Sequence, residues 1–271
     1  MLAQALVPAF TARKGEVVAL ARPELDVTDP AAVTARISDE RPDVVVQCAA
    51  YTAVDAAEAD EQGAFLVNEA ATRYVARACD AIGAALVYPS TDYVFAGNGV
   101  EPYGVTHDTA PINVYGRSKE VGERAALACK QGLVVRTSWL YGNGGPNFVD
   151  TMRRLGRERK AVQVVTDQIG RPTWTGALAE VVVDLVYGEA RGTFHATGGG
   201  QPVSWYGFAK AIFRLAALDV SLEAVSSLAF PRPAARPTFS VLDCSRTEKV
   251  LGRPLELWQT SLASFIRQDP S

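Results

Sequence analysis

The sequence is poor in the residues that build metal centres and disulfide frameworks. Its 271 residues include two histidines and four cysteines, and no cysteine pair has Cys-x-x-Cys spacing. Histidines that lie far apart without clustered ligands do not indicate a metal site. Scattered cysteines in apolar segments are typical of reduced, buried thiols. We therefore predict no metal centre and a reducing, cytoplasmic location.

The chain also lacks an excess of one charge and a long apolar run. Its formal net charge is −3, and no Lys/Arg cluster gives the electrostatic footprint of nucleic-acid binding. No stretch approaches the ~20 apolar residues that a membrane span requires. The apolar start, residues 1–10, has neither the basic region nor the cleavage site of a signal sequence. We expect a small-molecule ligand, no nucleic acid or membrane as a partner, and either a monomer or a homodimer.

Apolar runs alternate with helical patterns along the chain. The runs predicted to be strands are 16–20, 43–48, 84–90 and 132–138. They are continuous rather than alternating, which indicates burial on both faces, as in a parallel sheet. The helices predicted between them are 30–40, 61–82 and 113–130. This repeated βαβ order predicts an α/β fold with a doubly wound parallel sheet.

The pattern changes after about residue 140. The elements predicted there are helices 147–159 and 175–187, strands 161–167 and 192–198, and two further helices, 204–217 and 256–267. Helix 175–187 and strand 192–198 are expected to return to the sheet. The last two helices flank a proline-rich stretch, 230–237, and indicate a smaller second part packed on the strand ends.

The start of such a fold is not in the sequence. A dinucleotide-binding sheet begins with a strand, a glycine-rich turn and a helix whose N-terminus receives the pyrophosphate. Residues 1–20 instead read as helix, turn and second strand. We expect that the natural start lies upstream; the alternative is a truncated, impaired form. For the chain as given, we expect weak dinucleotide binding. We also expect either a one-strand gap between runs 43–48 and 84–90, with 16–20 beyond it, or a sheet that closes in altered register.

The segment VYGRSK (114–119) places a tyrosine four residues before a lysine on a predicted helix. Such side chains share one helix face, and the Lys119 ammonium would lower the pKa of the Tyr115 phenol. The spacing by itself also fits a surface turn. Thr91 adds a hydroxyl at a strand's carboxyl end, where open α/β sheets bind ligands. The set suits ketone reduction: Thr91 and Tyr115 polarise the carbonyl, Tyr115 donates a proton, and a cofactor supplies hydride.

Five segments, two of which contain these residues, carry a family resemblance, in this order: CAAYTAVDAAE (48–58), STDYVFAGNG (90–99), NVYGRSKEVGE (113–123), RTSWLYG (136–142) and DQIGRPT (167–173). The chain resembles the extended short-chain dehydrogenase/reductase family, and within it the dTDP-4-dehydrorhamnose reductase branch. The resemblance implies a Rossmann-like dinucleotide-binding domain over 1–141, extended by about 175–198, and a discontinuous substrate-binding part within 142–271. It implies NADPH-dependent reduction of the 4-keto group of a dTDP-type 4-keto-6-deoxyhexose.

The resemblance also assigns roles to single residues. The catalytic residues would be Thr91, Tyr115 and Lys119. The cofactor would contact Tyr115, Lys119, Ala49, Ala50 and Tyr51, with Asp26 and Val27 near its adenine. The sugar would contact Thr91, Asp92 and Trp139, although core packing also explains a tryptophan.

Two arginines are candidates on chemical grounds. Arg22 stands near the point where an acidic residue would select NAD, and its guanidinium would pair with a 2′-phosphate. We therefore predict NADPH, with NADH also possible, although a solvated surface arginine is the alternative. Arg236 is the candidate for the substrate diphosphate, because a guanidinium binds phosphate oxygens in bidentate fashion; a loop arginine pinned by prolines is the alternative.

Other functions of the same fold stay open. A sugar-nucleotide dehydratase of this kind carries Thr-Asp-Glu, whereas Thr91 and Asp92 are followed here by Tyr93, so dehydration is disfavoured. An epimerase is not excluded. A non-catalytic nucleotide-binding subunit is favoured by the missing glycine turn, while the set of Thr91, Tyr115 and Lys119 argues against it.

Overall fold

The structure is a computed structural model that describes residues 1–268. The strands are β1 (Val44–Val46), β2 (Ala85–Thr91), β3 (Gly132–Thr137), β4 (Leu140–Tyr141), β5 (Ala161–Val165), β6 (Ile169–Gly170), β7 (Thr173–Trp174), β8 (Gly192–His195), β9 (Val203–Ser204) and β10 (Ser221–Val225). The α-helices are α1 (Leu2–Ala12), α2 (Pro30–Glu40), α3 (Val54–Ala57), α4 (Glu61–Phe65), α5 (Ala71–Ile82), α6 (Val114–Leu127), α7 (Phe148–Glu158), α8 (Thr175–Tyr187), α9 (Trp205–Leu215), α10 (Ser245–Leu251) and α11 (Trp258–Gln268). Between α4 and α5 lies a π-helical turn, Leu66–Ala70.

The central sheet is parallel, with strand order β1-β2-β3-β8. Alternate residues of its strands face opposite layers, as the pleat requires. Val87 and Val135 pack with α1 and α8 on one side, whereas Leu86 and Val134 pack with α2 and α5 on the other. Burial on both faces explains why the strand sequences are continuously apolar. The predicted α/β fold with a doubly wound parallel sheet is therefore confirmed.

One predicted strand is missing from the sheet, and one of the two arrangements expected beside β2 is excluded. The run 16–20 forms no strand; Val18, at its centre, is 52% exposed, because no strand of the described chain accepts its backbone hydrogen bonds. The expected gap beside β2 is also absent, since β1 pairs directly with β2 from Val44 opposite Ala85. Successive strands joined by a helical crossover usually become neighbours, and here that rule decides the order.

The later part of the chain has an apolar cluster of its own. Helices α7, α9 and α11 enclose Phe208, Ile212, Trp258 and Phe265 with Tyr141. The predicted strand 161–167 is present as β5, but it pairs with β10 outside the central sheet. Strand β8 and helix α8 return to the central layers as expected. Among residues 1–268, no helix has the length and apolarity to cross a membrane.

Candidate active site

The carboxyl edge of β2 meets the first turn of α6. Strand β2 ends at Thr91, and Asn113 caps α6 by accepting a hydrogen bond from the Gly116 amide at 2.8 Å. A Cβ on Gly116 would lie 2.2 Å from the backbone oxygen of Tyr93. The absence of a side chain at 116 therefore lets the helix approach the turn after β2, which brings Tyr115 beside Thr91.

Tyr115 lies among polar and aromatic groups at this junction. Burial raises the pKa of Tyr115 to about 12, a hydrogen-bonding contact with the Thr91 side chain lowers it, and the charge of Asp92 raises it. The Tyr93 ring meets the Tyr115 ring edge to face, with centroids 5.7 Å apart. A phenol with a raised pKa is protonated at neutral pH, which is the state from which a general acid acts.

Lys119 follows one helical turn later and is 2% exposed. Its Nζ donates to the Pro89 carbonyl at 2.7 Å and lies 3.8 Å from the centroid of the Tyr88 ring. Burial lowers the pKa of Lys119 to about 7, while the charge of Glu123 raises it. The sequence predicted that the Lys119 ammonium lowers the pKa of Tyr115. In this structure the pKa of Tyr115 is instead raised, and its causes are burial, Thr91 and Asp92.

Asp92 is a buried carboxyl next to the catalytic candidates. Its Oδ1 accepts a hydrogen bond from the Thr91 hydroxyl at 3.0 Å, whereas Oδ2 has no hydrogen-bond partner of standard geometry. Burial raises the pKa of Asp92 to about 6, although the nearby Ser240 hydroxyl lowers it. A buried polar atom without a partner is costly, which makes Asp92 Oδ2 a candidate contact for a ligand.

The loop after β1 is fixed beside Tyr115. Asn68 in the π-helical turn accepts from the Tyr51 amide at 2.9 Å and donates to the Tyr51 carbonyl at 3.1 Å. The same amide group donates to the Ser118 hydroxyl at 2.9 Å, which joins the loop to α6. Tyr51 and Tyr115 pack against one small apolar cluster. The preceding Ala49 and Ala50 have small side chains that leave their backbone accessible.

Arg236 reaches the same region from the proline-rich stretch. It forms an ion pair with Asp55 at 2.9 Å, and its guanidinium lies 5.9 Å from the centroid of the Tyr93 ring. Its Nη1 is buried without a hydrogen-bond partner. Asn113, the cap of α6, donates to the Ala235 carbonyl at 2.9 Å. These contacts bring the stretch against Tyr93 and the start of α6 and leave one guanidinium nitrogen of Arg236 without a hydrogen-bond partner.

Trp139 lies beyond the carboxyl end of β3 in a strained backbone conformation, with φ of 49°. Its indole stacks on Trp205 with centroids 3.6 Å apart and a 4° angle between planes. A Cβ on Gly170 would lie 2.5 Å from the indole. Trp139 is half-buried and packs against the second apolar cluster. Both the expected pocket role and the alternative of core packing are compatible with this arrangement.

The candidates for the adenine end are not joined to this cluster by any contact among the described residues. Arg22 and Asp26 are exposed, and Val27 is half-buried. The carboxylate of Asp26 accepts from the Thr28 amide at 2.9 Å and from its hydroxyl at 2.7 Å; these hydrogen bonds lower the pKa of Asp26. Within residues 1–268, no group of His, Cys, Asp and Glu side chains could hold a metal ion.

Sequence patterns missed several residues that shape the site. Asn68 is fully buried within the apolar segment FLVNEA, and Arg136 interrupts the apolar strand GLVVRT. A polar residue within an otherwise apolar run is the signal that was available, because buried polar groups need partners. Asp55 gave no such signal, since its ion pair with Arg236 joins segments 181 residues apart.

Comparisons with known proteins place these residues in a family context. The model of the RmlD substrate binding domain matches residues 1–270. The chain is 46% identical to a dTDP-4-dehydrorhamnose reductase of Streptomyces griseus, covering 97% of this chain and 88% of the relative. It is 41% identical to a dTDP-4-keto-6-deoxy-D-glucose reductase of Streptomyces niveus, covering 97% and 92%. A Bacillus anthracis dTDP-4-dehydrorhamnose reductase solved in complex with NADP is 38% identical, with a TM-score of 0.95 and coverage of 98% and 95%.

Proposed function

Since the chain belongs to the RmlD substrate binding domain family, we propose that it is an enzyme that reduces the 4-keto group of a dTDP-linked 4-keto-6-deoxyhexose with NADPH. The observation that carries this function is the close approach of the first turn of α6 to the end of β2, which places Tyr115 beside Thr91 and the buried Lys119 against the Pro89 carbonyl. These are the groups that reduction of a ketone requires, and they lie in a chain that aligns over nearly its whole length with named reductases. The proposed location is the cytoplasm, in agreement with four cysteines that are all free.

Tyr115 is the general acid of the proposed reaction. With its pKa raised to about 12 by burial, the phenol holds its proton at neutral pH and delivers it to the carbonyl oxygen as that oxygen gains negative charge. Thr91 donates a second hydrogen bond to the same oxygen, which stabilises the developing charge. Thr91 currently donates to Asp92, so its hydroxyl turns toward the substrate while Asp92 becomes available to a sugar hydroxyl.

The residues present fit the nicotinamide-ribose half of NADPH, which supplies the hydride when bound. Lys119 offers an ammonium and Tyr115 a phenol, the donor set that ribose hydroxyls accept. The backbone of Ala49, Ala50 and Tyr51 lines the approach, and its position is held by Asn68. Arg22, Asp26 and Val27 would serve the adenine ribose and its phosphate, and the exposure of Arg22 suits a 2′-phosphate.

The substrate is held from the second part of the chain. We assign nucleotide binding to residues 1–141 and about 175–198, and substrate binding to the rest of 142–271; the separate apolar cluster around Phe208 supports this division. Arg236, with a buried and unpartnered Nη1, binds the diphosphate. Trp139 lines the sugar pocket through the edge that its stack on Trp205 leaves accessible.

The residue at position 93 favours reduction over dehydration. A dehydratase of this fold needs a carboxylate there to remove a proton beside the ketone. Burial raises the pKa of Tyr93 well above its ordinary value, so this side chain is a neutral phenol that cannot act as a base at physiological pH.

The direct test is NADPH consumption by the purified chain with a dTDP-4-keto-6-deoxyhexose. Turnover should require the keto group, so the matching dTDP-deoxyhexose with a 4-hydroxyl should give none. Solvent deuterium should not appear at the carbons beside the ketone, because an epimerase that inverts one of those carbons exchanges its proton and a reductase does not. A chain that binds the sugar nucleotide but oxidises no NADPH would favour a non-catalytic binding subunit.

A further inference from the structure

Behind the catalytic pair lies a buried ion pair that the proposed chemistry does not use. Glu123 follows Lys119 by one turn of α6 and Tyr115 by two, so the three side chains share one helix face. Arg136 on β3 donates two hydrogen bonds to the Glu123 carboxylate, from Nε to Oε1 at 2.8 Å and from Nη2 to Oε2 at 2.6 Å. Glu123 is 3% exposed and Arg136 5%.

The sheet beneath α6 carries a matching polar row. Ser90, Arg136 and His195 lie opposite one another on β2, β3 and β8. Ser90 donates to Glu123 Oε1. His195 Nδ1 donates to the Asp243 carbonyl at 3.1 Å, so its Nε2 is the unprotonated nitrogen that faces Arg136 Nη1 at 3.4 Å.

The charge of this row is settled by its surroundings. Burial and then Arg136 lower the pKa of His195 to about 3, so the imidazole stays neutral. This row and Glu123 above it therefore contain one anion, Glu123, and one cation, Arg136. Glu123 and Arg136 are held in this geometry by two hydrogen bonds, because breaking either one would leave a buried charge unpaired in a low-dielectric interior.

Two neighbouring residues of β2 connect this row to Lys119. The Pro89 carbonyl accepts a hydrogen bond from the Lys119 ammonium, and the Ser90 hydroxyl donates one to the Glu123 carboxylate. Within residues 1–268, no carboxylate lies within ion-pair distance of Lys119, although the ammonium is almost completely buried. An isolated buried ammonium tends to lose its proton. Some fixed negative charge is needed nearby if Lys119 is to remain a cation at neutral pH.

We propose that Glu123 is a positioning residue for the catalytic pair: anchored by Arg136 and Ser90, its carboxylate keeps Lys119 protonated and fixed against β2. This inference rests on the proposed role of Lys119 and adds a residue that acts on it through space. Arg136 offsets part of this charge but is fixed to the carboxylate by two directed hydrogen bonds. Burial has the largest effect on the pKa of Lys119 and lowers it, and Glu123 is the group that raises it most.

The other groups that face Lys119 do not replace Glu123. Cys48, beside β1, raises the pKa of Lys119 less than Glu123 does, and burial raises the pKa of the Cys48 thiol to about 11, so it is neutral. The Tyr88 hydroxyl is also neutral, since burial raises its pKa well above the ordinary value. Tyr88 contributes the face of its ring, a weaker attraction for a cation than a full negative charge.

The test measures the ionisation of Lys119 directly. The chain has six lysines, so NMR of protein labelled with ¹³C at lysine Cε resolves few resonances, and Lys119→Arg identifies the relevant one. In the parent chain the Lys119 signal should titrate with a midpoint at about 7. In Glu123→Gln the midpoint should fall by about one pH unit, the smaller end of the range for losing an opposite charge nearby. In Glu123→Asp it should return toward the parent value.

The matched control is Glu120→Gln, on the same helix but paired with Arg124 and Thr109 at its outer side. It should leave the Lys119 midpoint unchanged. If Glu123→Gln does not fold, Glu123→Gln/Arg136→Met removes the whole ion pair; a smaller downward shift is then expected, because the loss of the Arg136 cation opposes the loss of the Glu123 anion. A Lys119 midpoint unchanged in a folded Glu123 variant would overturn the inference.

The pH dependence of turnover separates this inference from the proposed function. If the reductase role holds, the pH above which turnover declines should fall in Glu123→Gln by the same amount as the NMR midpoint. A purely structural role would lower turnover equally at every pH. A parent chain without reductase activity that still shows the NMR shift would leave the role of Glu123 intact and refute the function.

Discussion

Gly122 lies against Asn68 so closely that a Cβ at position 122 would stand 2.2 Å from the Asn68 carbonyl oxygen and 2.2 Å from the Tyr88 hydroxyl. Glycine is unfavourable inside a helix, but here it lets α6 touch the π-helical turn. The Tyr88 hydroxyl uses the gap to donate to the Asn68 carbonyl at 3.0 Å. Because the Asn68 side chain holds Tyr51 and Ser118, this contact fixes the loop after β1 relative to α6.

Gly122→Ala should therefore destabilise the fold by about 1–3 kcal/mol, the usual scale for overpacking a tight interior. The added methyl group would contact the backbone oxygen of Asn68, so α6 and the π-helical turn cannot move apart without displacing Asn68. Urea denaturation followed by circular dichroism measures the loss. Gly104→Ala is the control, since its Cβ would meet only the ring of an exposed histidine, His107, at 3.2 Å. Equal stability of the two variants would contradict the tight contact.

Tyr115→Phe should keep the fold and lower turnover by at least ~10²-fold, because the general acid loses its proton while the ring still packs. The assay is steady-state NADPH oxidation, with unfolding temperature measured alongside. Tyr187→Phe is the matched control, since Tyr187 is 50% exposed at the end of α8 and should leave turnover unchanged. Turnover close to that of the parent in Tyr115→Phe would remove this residue from the chemistry.

The helices and the buried strands followed from local sequence rules. Helix 30–40 was predicted with its observed bounds, because Asp29 accepts hydrogen bonds from two amides as an N-cap and Pro30 occupies the first turn. The helix predicted over 61–82 is interrupted by the π-helical turn Leu66–Ala70. Apolar spacing does not reveal which carbonyl each amide binds, so that interruption was not predictable.

Long-range pairing accounts for what the sequence did not reveal. The places of Thr91 and Tyr115 were predictable, because one stands at a strand end and the other at a helix start. The burial of Glu123 and Arg136 was not predictable. A charged residue on a helix is normally solvent-exposed, and only the folded structure shows that β3 supplies the partner of Glu123. The run 16–20 was mistaken for a strand for the same reason: its apolar pattern is local, but a strand exists only with a neighbour.

Asp92 should make stability depend on pH. Its folded-state pKa is raised by burial from 3.8 to about 6, so the folded protein binds a proton more tightly than the unfolded chain does. The stability linked to that proton is complete below about pH 4 and is lost as pH rises through about pH 6. Asp92→Asn should therefore stabilise the protein at about pH 8, by about 2–3 kcal/mol on the usual conversion.

The same substitution should give little stabilisation at about pH 4, where both carboxyl and amide are neutral. Urea denaturation of parent and variant at the two pH values measures the difference. Asp39→Asn, at an exposed position on α2, should show no such pH-dependent gain. A gain for Asp92→Asn that does not grow with pH would mean that the carboxyl is not held protonated by burial.

Arg236→Ala should raise the KM for the dTDP-sugar by about tenfold or more while leaving NADPH affinity unchanged, because a charge-assisted phosphate contact contributes about 1.5–3 kcal/mol. Arg232→Ala is the matched control: Arg232 lies on the same stretch, 4.0 Å from Asp55, but its side chain is 62% exposed. Arg236→Lys should recover only part of the affinity, since an ammonium cannot bind in bidentate fashion. Because Arg236 also pairs with Asp55, unfolding temperature is measured for each variant, and a KM that rises only in proportion to lost stability would assign Arg236 to the loop rather than to the substrate.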